Sequence, residues 1–150
     1  MNRVARLTEP YAPLARRLLP IAGLVTLVAI AIQFLLAGVG VFAGEAAGIN
    51  GWDAHFWFGG AVHALLGLML ALSLVGRFPR SLMALNAVLF LVATGMMALP
   101  RAQGSSPELA AFHPLGAFLV AILAYAVWDR SRAAVAADEA LEAPPLPTQG

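Results

Sequence analysis

Four charge-free runs, Leu18–Gly44, Ala54–Gly76, Ser81–Pro100 and Leu109–Trp128, divide this 150-residue chain and leave it few folds to adopt. A bilayer core about 30 Å thick is crossed by roughly 20 apolar residues of helix, and every run reaches that length. None of them alternates apolar and charged positions at the helical period, as the helices of a water-soluble bundle do. The chain is 61% hydrophobic and only 11% charged, far from the composition of a soluble domain. The pattern implies an all-α fold, a four-transmembrane-helix antiparallel bundle in direct contact with the lipid bilayer. The expected helices cover about residues 18–40, 54–76, 81–100 and 107–128, within a transmembrane domain spanning 17–128. Residues 1–16 read as an interfacial lead-in. Residues 129–150 read as a cytoplasmic tail, helical at its alanine-rich start and disordered over the proline-rich 143–150.

The arginines orient the bundle. With four helices both termini share one side with the short loop Arg77–Arg80, and that side collects Arg3, Arg6, Arg16, Arg17, Arg77, Arg80, Arg130 and Arg132, against Arg101 alone on the other. The bias predicts a multi-pass protein of the bacterial inner membrane with both termini cytoplasmic. Trp52 and Trp57 near the outer boundary, and Tyr11 and Trp128 near the inner one, suit aromatic belts. A cleaved signal peptide would carry an apolar core of about 7–15 residues, whereas the first run is far longer, so this segment is expected to stay as a span.

Composition also excludes several chemistries. Cysteine is absent, which removes disulfides, thiolate-bound clusters and a cysteine nucleophile. No basic stripe suggests nucleic acid as a partner. HExxH, GxSxG and phosphate-binding glycine loops are missing, so nothing supports hydrolytic or phosphoryl-transfer chemistry, and an independent catalytic activity is not expected. Locally, Pro20 is expected in the first turns of the first helix, and Asp53 as the N-cap of the second. Ser106-Pro107-Glu108 marks the start of the fourth helix, and Pro114 should kink that helix just after His113.

The polar residues inside the spans are the functional candidates, because burying them is costly. At about 1.5 Å rise per residue, Gln33, His55 and His113 fall in the outer half, His63 near the midplane, and Asn86 in the inner half. His55, Gly59 and His63 share one face of the second helix. His113 shares its face with Gly116, Ala117 and Ala121, and Gln33 with Ala29, Ala37 and Gly40. Small residues beside polar ones admit two explanations. They let helices approach closely and hydrogen-bond across the interface. They also leave room for a flat cofactor, and two neutral imidazoles on facing helices are what haem b requires. His55 and His63 lie about 12 Å apart along one helix and cannot hold the same iron, so His113 must pair with one of them. The sequence leaves that choice open. A pair of His113 with Met97 is a weaker option, and a zinc site of Asp53, His55 and His113 a further one.

The order of these motifs resembles a family of small bacterial four-helix membrane proteins of uncharacterised function. The shared pieces are Gln33 followed by Ala37–Phe42, Asp53-Ala54-His55 with Gly59, the loop Gly76-Arg77-Phe78-Pro79, and Phe112-His113-Pro114-Leu115 before Ala117. The resemblance spans residues 18–128 and implies that His55 and His113 are the common pair, with His63 an addition; it brings no known activity. In architecture the chain also resembles membrane cytochromes b, though it lacks the second histidine on the fourth helix that a two-haem pattern needs.

Two functions are consistent with these features. The first is an electron-transfer module holding one haem b in the outer half through His113 and His55 (or His63), with Gln33 bonding nearby, Gly59 and Ala117 making space, and quinone as an exchange partner. The alternative is an accessory or scaffold subunit without cofactor, packed in a larger membrane complex or homo-oligomer. A transporter is disfavoured, because no charged residue lies deep in any span.

Overall fold

The structure, a computed structural model, describes residues 8–43, 50–102 and 104–142. The first part of the lead-in, with Arg3 and Arg6, and the proline-rich end 143–150 lie outside the described residues. Among the described residues, four helices are long and apolar enough to cross a membrane.

A 3-10 turn, Glu9–Tyr11, leads into α1, Ala12–Phe42. The helix starts earlier than its charge-free run because nothing in the lead-in stops it. Pro13 falls in the first turn, where a missing N–H is harmless. Pro20 is therefore interior rather than in the first turns as expected, and it deprives the Arg16 carbonyl of its donor.

The second helix, α2, is Gly51–Val75. Its N-cap is Asn50, not Asp53. The Asn50 side chain accepts from the Asp53 N–H at 3.2 Å and donates to the Asp53 carboxylate at 2.7 Å. The first bond satisfies an open backbone N–H and the second ties the two side chains together, and the start of α2 lies three residues ahead of the expected one. At its other end, Phe78 N–H bonds Ser73 O and Arg77 N–H bonds Leu74 O, both at 3.2 Å. That is a Schellman closure, with Arg77 (φ 52°) in the left-handed position usually given to glycine.

After Pro79, α3 covers Arg80–Ala98 and tightens into a 3-10 turn, Leu99–Ala102. The fourth span is not the single helix expected over 107–128. One helical turn, Pro107–Ala110, is separated by Ala111 and Phe112 from α4, His113–Glu142. Ser106 caps that turn by position, without a side-chain bond. Pro114 thus begins a helix instead of kinking one, again at a position that needs no N–H. Beyond Trp128, α4 continues through the segment expected to be the helical start of the tail.

The four helices close into a ring, each packed on its two neighbours: α1 on α2, α2 on α3, α3 on α4, and α4 on α1. Leu19, Leu66, Met69, Leu89, Ala124 and Val127 fill its axis. Leu35, Trp57, Leu91, Phe118 and Ile122 face outward, exposed. An apolar exterior around an apolar core is what a bilayer solvent demands. Lipid tails give helices no hydrophobic reason to associate, so close packing and hydrogen bonds must hold the ring. Thr26 Oγ1 donates to Met69 Sδ at 3.2 Å, and Asn86 Nδ2 to the Met69 carbonyl at 3.0 Å.

One end of the ring is tied by Arg16. Its Nε donates to Asp138 of α4 at 2.7 Å, its Nη1 to the Gly76 carbonyl at 3.0 Å, and its guanidinium lies 4.7 Å from the Phe78 ring centroid. Phe78 is only 2% exposed and folds back over Gly76, where a Cβ would come within 2.9 Å of the ring. His55 and His113 occupy the opposite half, with His63 midway along α2.

Candidate functional site

The site is built from two helix pairs, each locked by one imidazole. On the first, Gln33 of α1 and His55 of α2 bond reciprocally: Gln33 Nε2 donates to the His55 carbonyl at 2.7 Å, and His55 Nδ1 meets the Gln33 carbonyl at 3.1 Å. On the second, His113 of α4 meets the Met96 carbonyl of α3 through Nδ1 at 3.0 Å. A carbonyl can only accept, so both Nδ1 atoms carry the proton and both Nε2 atoms keep a free lone pair.

Glycines set the registry of these pairs. A Cβ on Gly51 would lie 2.5 Å from the Gly40 nitrogen, and one on Gly40 would lie 2.8 Å from the Trp52 ring. The end of α1 and the start of α2 are therefore in backbone contact, which small residues permit. About two turns further in, a Cβ on Gly59 would sit 2.9 Å from Gln33 Nε2, so only glycine lets that amide reach across. Across the ring, a Cβ on Gly116 would collide with the Met96 thioether. Met96 thus meets α4 through both its carbonyl and its side chain.

These contacts bring the two imidazoles together in an edge contact. The His55 and His113 ring centroids are 6.2 Å apart, with planes inclined at 74°. Trp52 also packs edge-on against His55, at 6.0 Å. The rings open onto a cavity of about 280 Å³ between the four helices, and His55, His113, His63, Gln33, Gly59 and Ala117 all line it. Its remaining wall is almost wholly apolar, and Phe34 of α1 and Phe118 of α4, 5.1 Å apart, meet where those helices adjoin.

Every residue singled out from the sequence as a cofactor contact thus borders one space. His55 and His113, both expected in the outer half, lie beside one another. His63 stands apart from the pair, stacked on Phe90 at 4.8 Å with its Nδ1 enclosed and without a partner. Met97 lines the cavity, whereas Asn86 is committed to Met69 and is not part of the wall. Asp53 is engaged by Asn50, and among the described residues no group of three His, Asp or Glu side chains is placed to hold a metal ion. The zinc alternative therefore lacks its third ligand.

Two imidazoles bound to one metal through Nε2, with metal–nitrogen bonds of roughly 2 Å, hold their ring centroids about 6 Å apart. The His55–His113 centroid separation of 6.2 Å is of the size needed when the two nitrogens lie on opposite sides of the metal. Main-chain carbonyls on both Nδ1–H groups are the outer partners that fix a metal-binding histidine's tautomer and ring orientation.

Sequence reasoning missed Met96 and Pro100. The N–H that would ordinarily pair with the Met96 carbonyl belongs to the residue four positions on, and Pro100 has none. The Pro100 spacing was visible in the sequence; that His113 would meet the vacated carbonyl was not.

Comparison with known proteins adds a family match. Residues 33–102, just under half of the chain, match a family of unknown function (DUF6220). The match takes in Gln33, His55, Gly59, His63 and Met96 and stops short of His113. Together with the four apolar helices, it fits an uncharacterised family of four-helix membrane proteins. No curated protein and no solved structure matches the chain.

Proposed function

We propose that this chain is a b-type haem-binding electron-transfer module of the membrane, an antiparallel bundle with both termini cytoplasmic and the iron held by His55 and His113 in the outer half. The observation that carries this reading is the pair of adjacent imidazoles, each held through Nδ1 by a carbonyl of the neighbouring helix, which leaves Nε2 of each available as a ligating atom. When bound, haem would supply a one-electron redox centre in a site shielded from water. The protein's own part is positional. Gln33 fixes the backbone and ring of His55, Met96 does the same for His113, and Gly59 and Ala117 keep bulk out of the cavity. The arginine excess at the Arg16 end supports the proposed sidedness.

The test is a dithionite-minus-oxidised spectrum of detergent-purified protein expressed with haem precursor. A sharp reduced α-band that disappears in both His55→Ala and His113→Ala supports the reading. Colourless protein, with haem supplied throughout expression, refutes it.

One observation favours the accessory-subunit reading. Gly38, Gly60 and Gly95 have open space where a Cβ would project, with no atom within 4 Å. Small residues exposed on a membrane helix suit the close approach of a helix from another subunit. A defined partner that co-purifies with the histidine-to-alanine variants as well as with the wild type would carry that reading.

A further inference from the structure

The cavity does not end at His55 and His113. It continues along α2 past Gly59 to Val62, His63 and Leu66, where Ile30, Ala93 and Val120 complete the wall. His63 is eight residues from His55, about 12 Å of helix rise, so a metal held by His55 is out of its reach. The deeper section therefore has a polar group of its own.

The surroundings of His63 fix what that group can offer. Phe90 covers one face of the ring at 4.8 Å and 29°. Nδ1 is enclosed, and no protein acceptor meets it. A buried N–H without an acceptor is rarer and worse tolerated than a bare acceptor atom, so the proton belongs on Nε2. His63 is then a neutral imidazole with one N–H to give, set in an aliphatic wall. A lone water does not suit this position, because a buried water needs two to four polar partners. An anionic headgroup does not suit it either, since none of the lining residues is a lysine or arginine. The matching ligand is apolar, enters from the bilayer and carries a hydrogen-bond acceptor.

We infer that the inner section of the cavity binds a lipid-soluble quinone, with His63 Nε2–H donating to a quinone carbonyl. This rests on the electron-transfer reading for its purpose, since it names the redox partner of the same site, but the binding itself does not require haem. Phe90 holds the imidazole in plane, and the apolar wall from Val62 to Leu66 takes the ring and the start of its tail.

The experiment uses the full chain, expressed with haem precursor, in phosphatidylcholine nanodiscs. It is titrated with oxidised decylubiquinone while tryptophan fluorescence and the haem spectrum are followed together. Saturable quenching is expected, with Trp52 in the cavity wall as a reporter. His63→Phe keeps a ring to stack on Phe90 but loses the N–H, and should weaken binding at least 10-fold while leaving the reduced α-band in place. His63→Gln restores an N–H donor and should recover most of the affinity. Equal affinity in wild type and His63→Phe, or quenching that rises linearly as for simple partition into lipid, overturns the inference. Should His63→Phe not assemble, the ¹⁵N resonance of His63 Nε2 in the wild type decides: quinone must shift it, and an unshifted resonance is equally fatal. Failure of the haem reading shows separately, as a wild-type protein without an α-band whose quinone titration can still be read.

Discussion

His113 donates its Nδ1–H to the main-chain carbonyl of Met96 at 3.0 Å, and that carbonyl is available because Pro100 stands where its usual helical donor would be. A proline at the end of one span thus sets the tautomer of a histidine at the start of the next. Replacing Pro100 by Ala returns an N–H that competes for the same oxygen. The expected outcome is a mixture of His113 tautomers in ¹⁵N spectra and haem retention reduced about 10-fold, the scale of losing an outer-shell partner. A single unchanged tautomer would show that the proline has no such role.

Gly59 and Gly60 are neighbours in sequence with opposite surroundings. A Cβ on Gly59 meets Gln33 Nε2 at 2.9 Å, while one on Gly60 meets nothing within 4 Å. Gly59→Ala should displace the Gln33 amide, break its bond to the His55 carbonyl and cost about 1 kcal/mol. Gly60→Ala should be neutral or slightly stabilising, since it removes a mid-helix glycine. Unfolding by SDS titration of the two variants in mixed micelles compares them directly, and equal losses would contradict the packing described.

Arg16 serves a carboxylate, a helix-terminal carbonyl and an aromatic face at once. A lysine ammonium is a point charge on a flexible stem and cannot replace that planar fork. Arg16→Lys is therefore expected to lose nearly as much stability as Arg16→Ala, about 1–2 kcal/mol for a partly exposed charge-assisted bond. Full rescue by lysine would reduce the clasp to simple charge pairing.

Asn86 is fully buried, yet only its Nδ2 is satisfied; Oδ1 has no partner. Interhelical hydrogen bonds in membranes average about 0.6 kcal/mol, and removing an enclosed orphan oxygen offsets part of that. Asn86→Leu should leave stability almost unchanged, while Asn86→Ala should cost more through the space it opens. The order of the two variants in thermal unfolding is the check.

The absence of cysteine makes sidedness simple to measure. A single cysteine at Gly104, between the third and fourth spans, should react with a membrane-impermeant maleimide added outside intact cells. One at Ala133, beyond Trp128 on α4, should react only after permeabilisation. The reverse pattern would invert the proposed orientation.

The sequence by itself determined the number of spans and their lipid-facing character, and singled out Gln33, His55, His63 and His113 as polar candidates within them, because length and the cost of burying polar groups act on any chain of this composition. Charge patterning could not settle where helices start. Asn50 rather than Asp53 caps α2, and the fourth span breaks at Ala111 and Phe112. Both outcomes depend on which side chain reaches which open backbone group. The pairing of His55 with His113 was left open by spacing alone. It follows from contacts that exist only between helices: Gly40 against Gly51, Gln33 over Gly59, and the Met96 carbonyl freed by Pro100. Hydropathy is a property of each segment taken singly, whereas registry belongs to pairs of segments, and only the tertiary structure brings those pairs together.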